Sequence, residues 1–197
     1  MVLATLAVIA MACGEKRKSP DCQGPPPPGP GGFGFAGAAT PELGIALRNT
    51  ADQTVLAYEG VAMPIIAAPQ GGFITLAGVR ARNLDECVDI TASLRDEADA
   101  NRIVSLEQRP TQLVLGTDGW LTPRAPEFLF NWANLPACPF GMTTDFHGRE
   151  FLLELSVVDR SGRTASTSVH VIPTCDSLFG TYCLDNCVVG TAATIAR

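Results

Sequence analysis

Two histidines, seven cysteines and a few aromatic turn residues are the places where this chain of 197 residues could do chemistry. His147 stands in TTDFHGRE, two residues after Asp145. On an extended segment the two side chains share a face, where they could hold a metal or pass a proton. No third ligand is near in sequence, and the polarity of a loop accounts for the pair equally well. His170 lies between Val169 and Val171 and points to the opposite face, which reads as a solvent-facing strand position. The segment DGW, Asp118 to Trp120, offers an aromatic platform for a sugar together with Tyr58; its plainer reading is a turn whose aromatic packs over a sheet edge. No G-x-S-x-G elbow, H-E-x-x-H pair or phosphate-cradling glycine loop occurs. The sequence nominates no catalytic residue, no cofactor and no metal ligand set. A glycosidase-type carboxylate pair need not be close in sequence and would leave no mark at this level.

The cysteines are Cys13, Cys22, Cys87, Cys138, Cys175, Cys183 and Cys187, with no C-x-x-C spacing among them. Zinc-knuckle and thioredoxin readings therefore lose their usual pattern. The tail CDSLFGTYCLDNCVVG crowds three of them together, with no histidine or fourth cysteine close in sequence, which favours disulfides over a metal. Scattered cysteines suit an oxidising compartment. Setting Cys13 aside leaves six, and six allow fifteen connectivities. Cys87 and Cys138 each border an expected core strand, so a bridge between them would join two sheets. Cys175 would then pair within the tail, with Cys183 or Cys187. Cys22 would be unpaired or reach the tail's remaining thiol.

Cys13 ends an apolar run. Met1 to Ala12 is apolar except for Thr5. Twelve helical residues span about 18 Å, short of the roughly 30 Å hydrocarbon core, so the run has the length of a signal-peptide h-region. The ending AMACG resembles a bacterial lipobox. In that family a thioether lipid is attached to the cysteine and the signal is cut off before it. The resemblance implies that Cys13 is the lipidated first residue of the mature protein and that the partner at this end is a membrane. Gly14 follows where such lipoproteins carry Asp for inner-membrane retention, so the resemblance implies the outer membrane.

Composition shifts again after Pro20. Gly24 to Gly32 is almost wholly Pro and Gly, which cannot bury enough surface to fold. The expected organisation is a signal peptide (1–12), a lipidated Cys and disordered linker (13–40), a β domain (41–173) and a Cys-rich tail (174–197). Extended at about 3.1 Å per residue, Gly14 to Thr40 would reach roughly 80 Å.

The elements that would position any site read as strands. ELGIALR alternates Leu43, Ile45 and Leu47; CVDITASLRD alternates Val88, Ile90, Ala92 and Leu94. Further strands are expected at Gln53 to Tyr58, Phe73 to Arg82, Arg102 to Gln108 and Gln112 to Leu115, and in EFLFNW with Phe128, Phe130 and Trp132 on one face. REFLLELSVVDRSGRTASTSVHVIP reads as a hairpin. Phe151, Leu153, Leu155 and Val157 face one way, Asp159 and Gly162 make the turn, and Ala165, Thr167, Val169 and Val171 return. Eight to ten strands in so short a domain point to an all-β sandwich.

The hairpin resembles the last one of PKD and other immunoglobulin-like domains of bacterial surface proteins, and FNWANL resembles their tryptophan-bearing central strand. The Trp-x-Phe-Gly-Asp-Gly signature is absent, so the resemblance implies an immunoglobulin-like β-sandwich, with Trp132 under the sheet, and no binding residues. The chain as a whole resembles envelope lipoproteins of GC-rich Gram-negative bacteria. From Pro41 onward eleven arginines face eighteen acids, a balance of −7, which offers no basic stripe for nucleic acid. The expected function is non-enzymatic: a lipid-anchored envelope protein whose partner is an envelope protein or a polysaccharide. A small secreted carboxylate-dependent hydrolase and a structural subunit of an envelope complex are the alternatives.

Overall fold

The computed structural model describes Cys22 and residues 39–49, 53–123, 131–138, 145–175 and 180–189. Within them lie β1 (Glu42–Arg48), β2 (Thr54–Leu56), β3 (Val61–Ala67), β4 (Phe73–Arg82) and β5 (Cys87–Asp96). β6 (Arg102–Leu115), β7 (Leu121–Pro123), β8 (Ala133–Ala137), β9 (Phe151–Asp159), β10 (Thr164–Cys175) and the helix α1 (Gly180–Cys187) follow.

The period-two segments become strands because each buries one face. Phe151, Leu153, Leu155 and Val157 of β9 are buried, while Ser156 and Val158 are exposed. β9 and β10 pair antiparallel from Thr164↔Val158 to Val171↔Phe151. Their turn closes as the sequence predicts. The Asp159 amide donates to the Arg163 carbonyl (3.0 Å), the Gly162 amide donates to the Asp159 carbonyl (3.0 Å), and Gly162 takes a φ of 78°. β4 and β5 fall on the expected residues. Arg102 to Gln108 and Gln112 to Leu115 merge into the single strand β6.

The all-β expectation holds, but the two expected layers are joined. The path β4-β3-β10-β9-β5-β6-β7 returns to β4 through Ala81↔Leu121, closing a seven-stranded barrel. The β3–β10 pair is parallel, so the barrel is mixed. β1 and β2 extend from β4 on one side and β8 pairs with it on the other. Closure depends on two strands that change partners. β3 leaves β10 after Ile65 and meets β4 at Ile66; β6 leaves β5 after Gln112 and meets β7 at Leu113. Pro64 and Pro110 lie just before these two points. A proline cannot donate to a ladder, which suits it to a place where one pairing ends.

Met63, Ile65, Ile90, Leu113, Leu153 and Leu155 belong to the main buried cluster. A second, smaller cluster uses the opposite face of β4: Ala46, Ala68, Ile74, Leu76 and Trp132. Trp132 was expected under the central sheet as part of a strand; it lies in this second cluster, one residue before β8 begins. Phe128 and Phe130 lie outside the described residues. Gly78 makes room for the indole: a Cβ there would sit 2.8 Å from Trp132 Cε3 and 2.7 Å from Pro123 Cγ.

Candidate functional site

Outward-facing residues of β5, β9 and β10 form a surface rich in hydroxyls. Register aligns Ser166 with Ser156 and Ser156 with Thr91; the next row aligns Ser168 with Glu154 and Glu154 with Ser93. Neighbouring strands stand about 4.8 Å apart, so these groups form a regular array. A shallow hollow of about 490 Å³ lies over them, bordered by Ile103 and Leu106 of β6. Ser93 donates to Glu154 (3.1 Å), and Glu154 pairs with Arg95. The Arg95 hydrogen bond holds the Glu154 carboxyl below the usual carboxylate range, with smaller help from Ser93. The face thus presents donors and acceptors, with its Arg95 and Glu154 charges paired. The Ser/Thr alternation of β10 is visible in the sequence. That Thr91 and Ser93 would stand beside β9 follows only from register.

His170 projects from β10, as expected, away from Val169 and Val171. Its Nδ1 lies 2.8 Å from Glu59 and its Nε2 lies 3.0 Å from Glu97. The carboxylates come from the turns before β3 and after β5. They approach different ring nitrogens, so they do not form a single metal site with the imidazole. The hydrogen bonds to Glu97 and Glu59 raise the His170 pKa above 6.5, and the same contact lowers that of Glu59. Glu59→Gln with Glu97→Gln should bring the His170 titration, followed by NMR of the ring, down toward the ordinary value. The folded-state pKa is the raised one. The clasp therefore contributes fully below the unfolded pKa and is lost as pH rises through the folded pKa. An unchanged His170 titration in the double variant would remove the clasp.

The other nominated residues do structural work. His147 Nδ1 accepts the Cys175 amide (3.0 Å), and Asp145 Oδ1 accepts the Val189 amide (2.6 Å). Each holds a different part of the C-terminal segment, so the pair does not converge on a shared metal or proton. Trp120 is stacked by Arg80 and Arg82, whose guanidinium carbons lie 4.6 and 4.3 Å from its ring centroid. Asp118 binds Arg80 (2.7 Å) and its carbonyl accepts from Arg82 (3.0 Å). The Trp120 amide, then Arg80, keep the Asp118 carboxyl below its ordinary range. The indole is thus engaged by this side's own cations, and Tyr58 stands 67% exposed in the turn before β3.

The cysteines pair as Cys22–Cys87, Cys138–Cys187 and Cys175–Cys183. The bridge within the tail is the expected one. The Cys87–Cys138 bridge is corrected, and so is the expectation for Cys22. Cys87 opens β5 opposite Gln112, whereas Cys138 follows Ala137, which lies opposite Phe73. Tyr182 of α1 packs on that same Phe73, with centroids 5.3 Å apart, so the nearest sulfur to Cys138 comes from the helix. α1 gives little sequence signal. It has eight residues, too short for intrinsic stability, and depends on its attachments. Cys183 and Cys187 sit one turn apart on its buried face. The Cys187 carbonyl accepts the amides of Phe146 (2.9 Å) and His147 (3.1 Å).

No known protein-family model matches the chain, and no curated protein matches it.

Proposed function

We propose that this is a non-enzymatic, lipid-anchored envelope protein that displays a disulfide-stapled β-barrel for binding. Cysteine parity carries the reading. Six cysteines form three bridges. The seventh, Cys13, lies outside the described residues and stands at the lipobox-like position. Three disulfides suit a protein that works outside the cytoplasm.

The immunoglobulin-like part of the reading is supported by strand order. β10-β9-β5-β6 follow one another as the last and middle strands of a variable-type domain do, and β3-β4-β8 match its opposite sheet. The array of Thr91, Ser156, Ser166 and Ser168 is the recognition face, with Ser93 buried at its edge against Glu154. Its neutral hydroxyls suit a polysaccharide, or the polar surface of an envelope protein.

The Cys22–Cys87 bridge changes how display works. Residues 23–86 are closed into a covalent loop, so the Pro/Gly segment no longer carries the tether. The tether becomes Gly14 to Asp21, eight residues that reach about 28 Å at most. The barrel is held close to the bilayer instead of on a long stalk.

Intact mass of the membrane-extracted protein tests the anchor. The expected chain begins at Cys13 and carries acyl mass. Cys13→Ser should leave the barrel folded and move it from the membrane fraction to the soluble one. A chain cleaved before Cys13 without added acyl mass, or a Cys13→Ser protein that stays in the membrane, would overturn the anchor.

A further inference from the structure

The two bridges that hold α1 share one cluster. Sγ of Cys183 and Sγ of Cys187 are 3.6 Å apart, and the sulfurs of Cys175, Cys183 and Cys187 all lie within 4.8 Å of one another. Cys138 is bonded to Cys187. Three sulfurs from the end of β10 and the helix therefore lie together, and the fourth, that of Cys138 just after β8, is bonded to one of them. The tail's missing fourth cysteine arrives from a distant strand, where sequence spacing gives no hint of it.

We propose that these four cysteines, when reduced, form a tetrathiolate zinc site. A tetrahedral site with Zn–S near 2.3 Å has sulfurs about 3.8 Å apart, close to the Cys183–Cys187 separation already present. Cys183 and Cys187 are fully buried, and Cys138 and Cys175 pack against the main core. Thiolates in such surroundings are costly without a cation, and a divalent ion neutralises them. Four thiols bind one Zn²⁺ and release four protons. In reverse, two equivalents of a disulfide oxidant take two electrons each, forming the two bridges, four oxidant thiolates and free Zn²⁺. In both states the same four residues hold α1 on the barrel.

The test uses the full chain with Cys13→Ser, reduced by a phosphine and titrated with Co²⁺ under nitrogen. The expected result is one Co²⁺ per chain with thiolate charge-transfer and tetrahedral visible bands, displaced by Zn²⁺, and no bands from the oxidised protein. Adding Cys22→Ser and Cys87→Ser should leave the stoichiometry at one. Cys138→Ser or Cys183→Ser should weaken Co²⁺ by more than about a hundredfold, the upper end of what losing even a supporting group causes. Reduced protein without tetrahedral bands would overturn the proposal, as would bands that survive Cys183→Ser. Should a serine variant not fold, ¹¹³Cd NMR of the Cys13→Ser chain decides: a four-sulfur shift supports the site and a shift for fewer sulfurs overturns it.

Discussion

Leu155→Asp should unfold the barrel, while Ser156→Asp, the next residue, should leave it folded. Leu155 is 1% exposed, in the centre of β9, between Ala92 of β5 and Thr167 of β10. Removing a buried leucine side chain alone costs about 2–5 kcal/mol. A carboxylate in its place enters the main apolar cluster and adds several more. Together these approach the roughly 5–15 kcal/mol that holds a typical domain folded. Ser156 points the other way, into solvent between Thr91 and Ser166. A charge there meets water and should cost no more than about 1 kcal/mol. Near-UV circular dichroism and urea titration would separate the two. Similar losses from both substitutions would mean that the register of β9, and with it the hydroxyl face, is wrong.

What the sequence reveals follows from how each element is stabilised. β5 and β9 alternate because one face meets the core and the other meets water, and that pattern is local. β3 and β8 carry Pro64 and Pro136 inside short apolar runs, and a proline argues against a strand when its neighbours are unknown. β4 is buried on both faces, so it reads as an apolar run whose second face gives no clue that Trp132 will cover it. The helix has no such pattern of its own, since two bridges and the Phe73–Tyr182 contact hold it. Sites follow the same division. The serines of β10 are legible as an alternation. The partners of His170 come from two separate turns, and the cysteine bonded to Cys187 comes from just after β8. These depend on closure of the barrel, which no short window of residues records.

The turn between β9 and β10 is where local sequence and closure meet, and Asp159→Ala there should cost about 3–5 kcal/mol, the usual loss on breaking a buried ion pair. The Asp159 side chain is 0% exposed. Its Oδ1 accepts the amides of Ser161 and Arg163, each at 2.9 Å. Its Oδ2 accepts Arg163 Nε at 2.8 Å and the Asp85 amide at 3.2 Å, which joins the turn to the segment entering β5. The sequence pattern identifies the turn; the bond to Asp85 exists only once β5 lies beside β9. Alanine removes all of these contacts, together with the 2.8 Å contact from Arg163 Nη2 to Oδ2, and so breaks the ion pair. Asparagine keeps Oδ1 for the two turn amides but sets an NH₂ group against the Asp85 amide and the guanidinium. Its loss should be smaller, about 1–3 kcal/mol. Ser161→Ala, at an exposed turn position, should stay within about 0.5 kcal/mol of the parent. Urea midpoints at constant slope measure the series. The expected order of loss is Asp159→Ala, then Asp159→Asn, then Ser161→Ala. An Asp159→Ala protein as stable as Ser161→Ala would show that the turn closes without this carboxylate and that its tie to β5 contributes nothing.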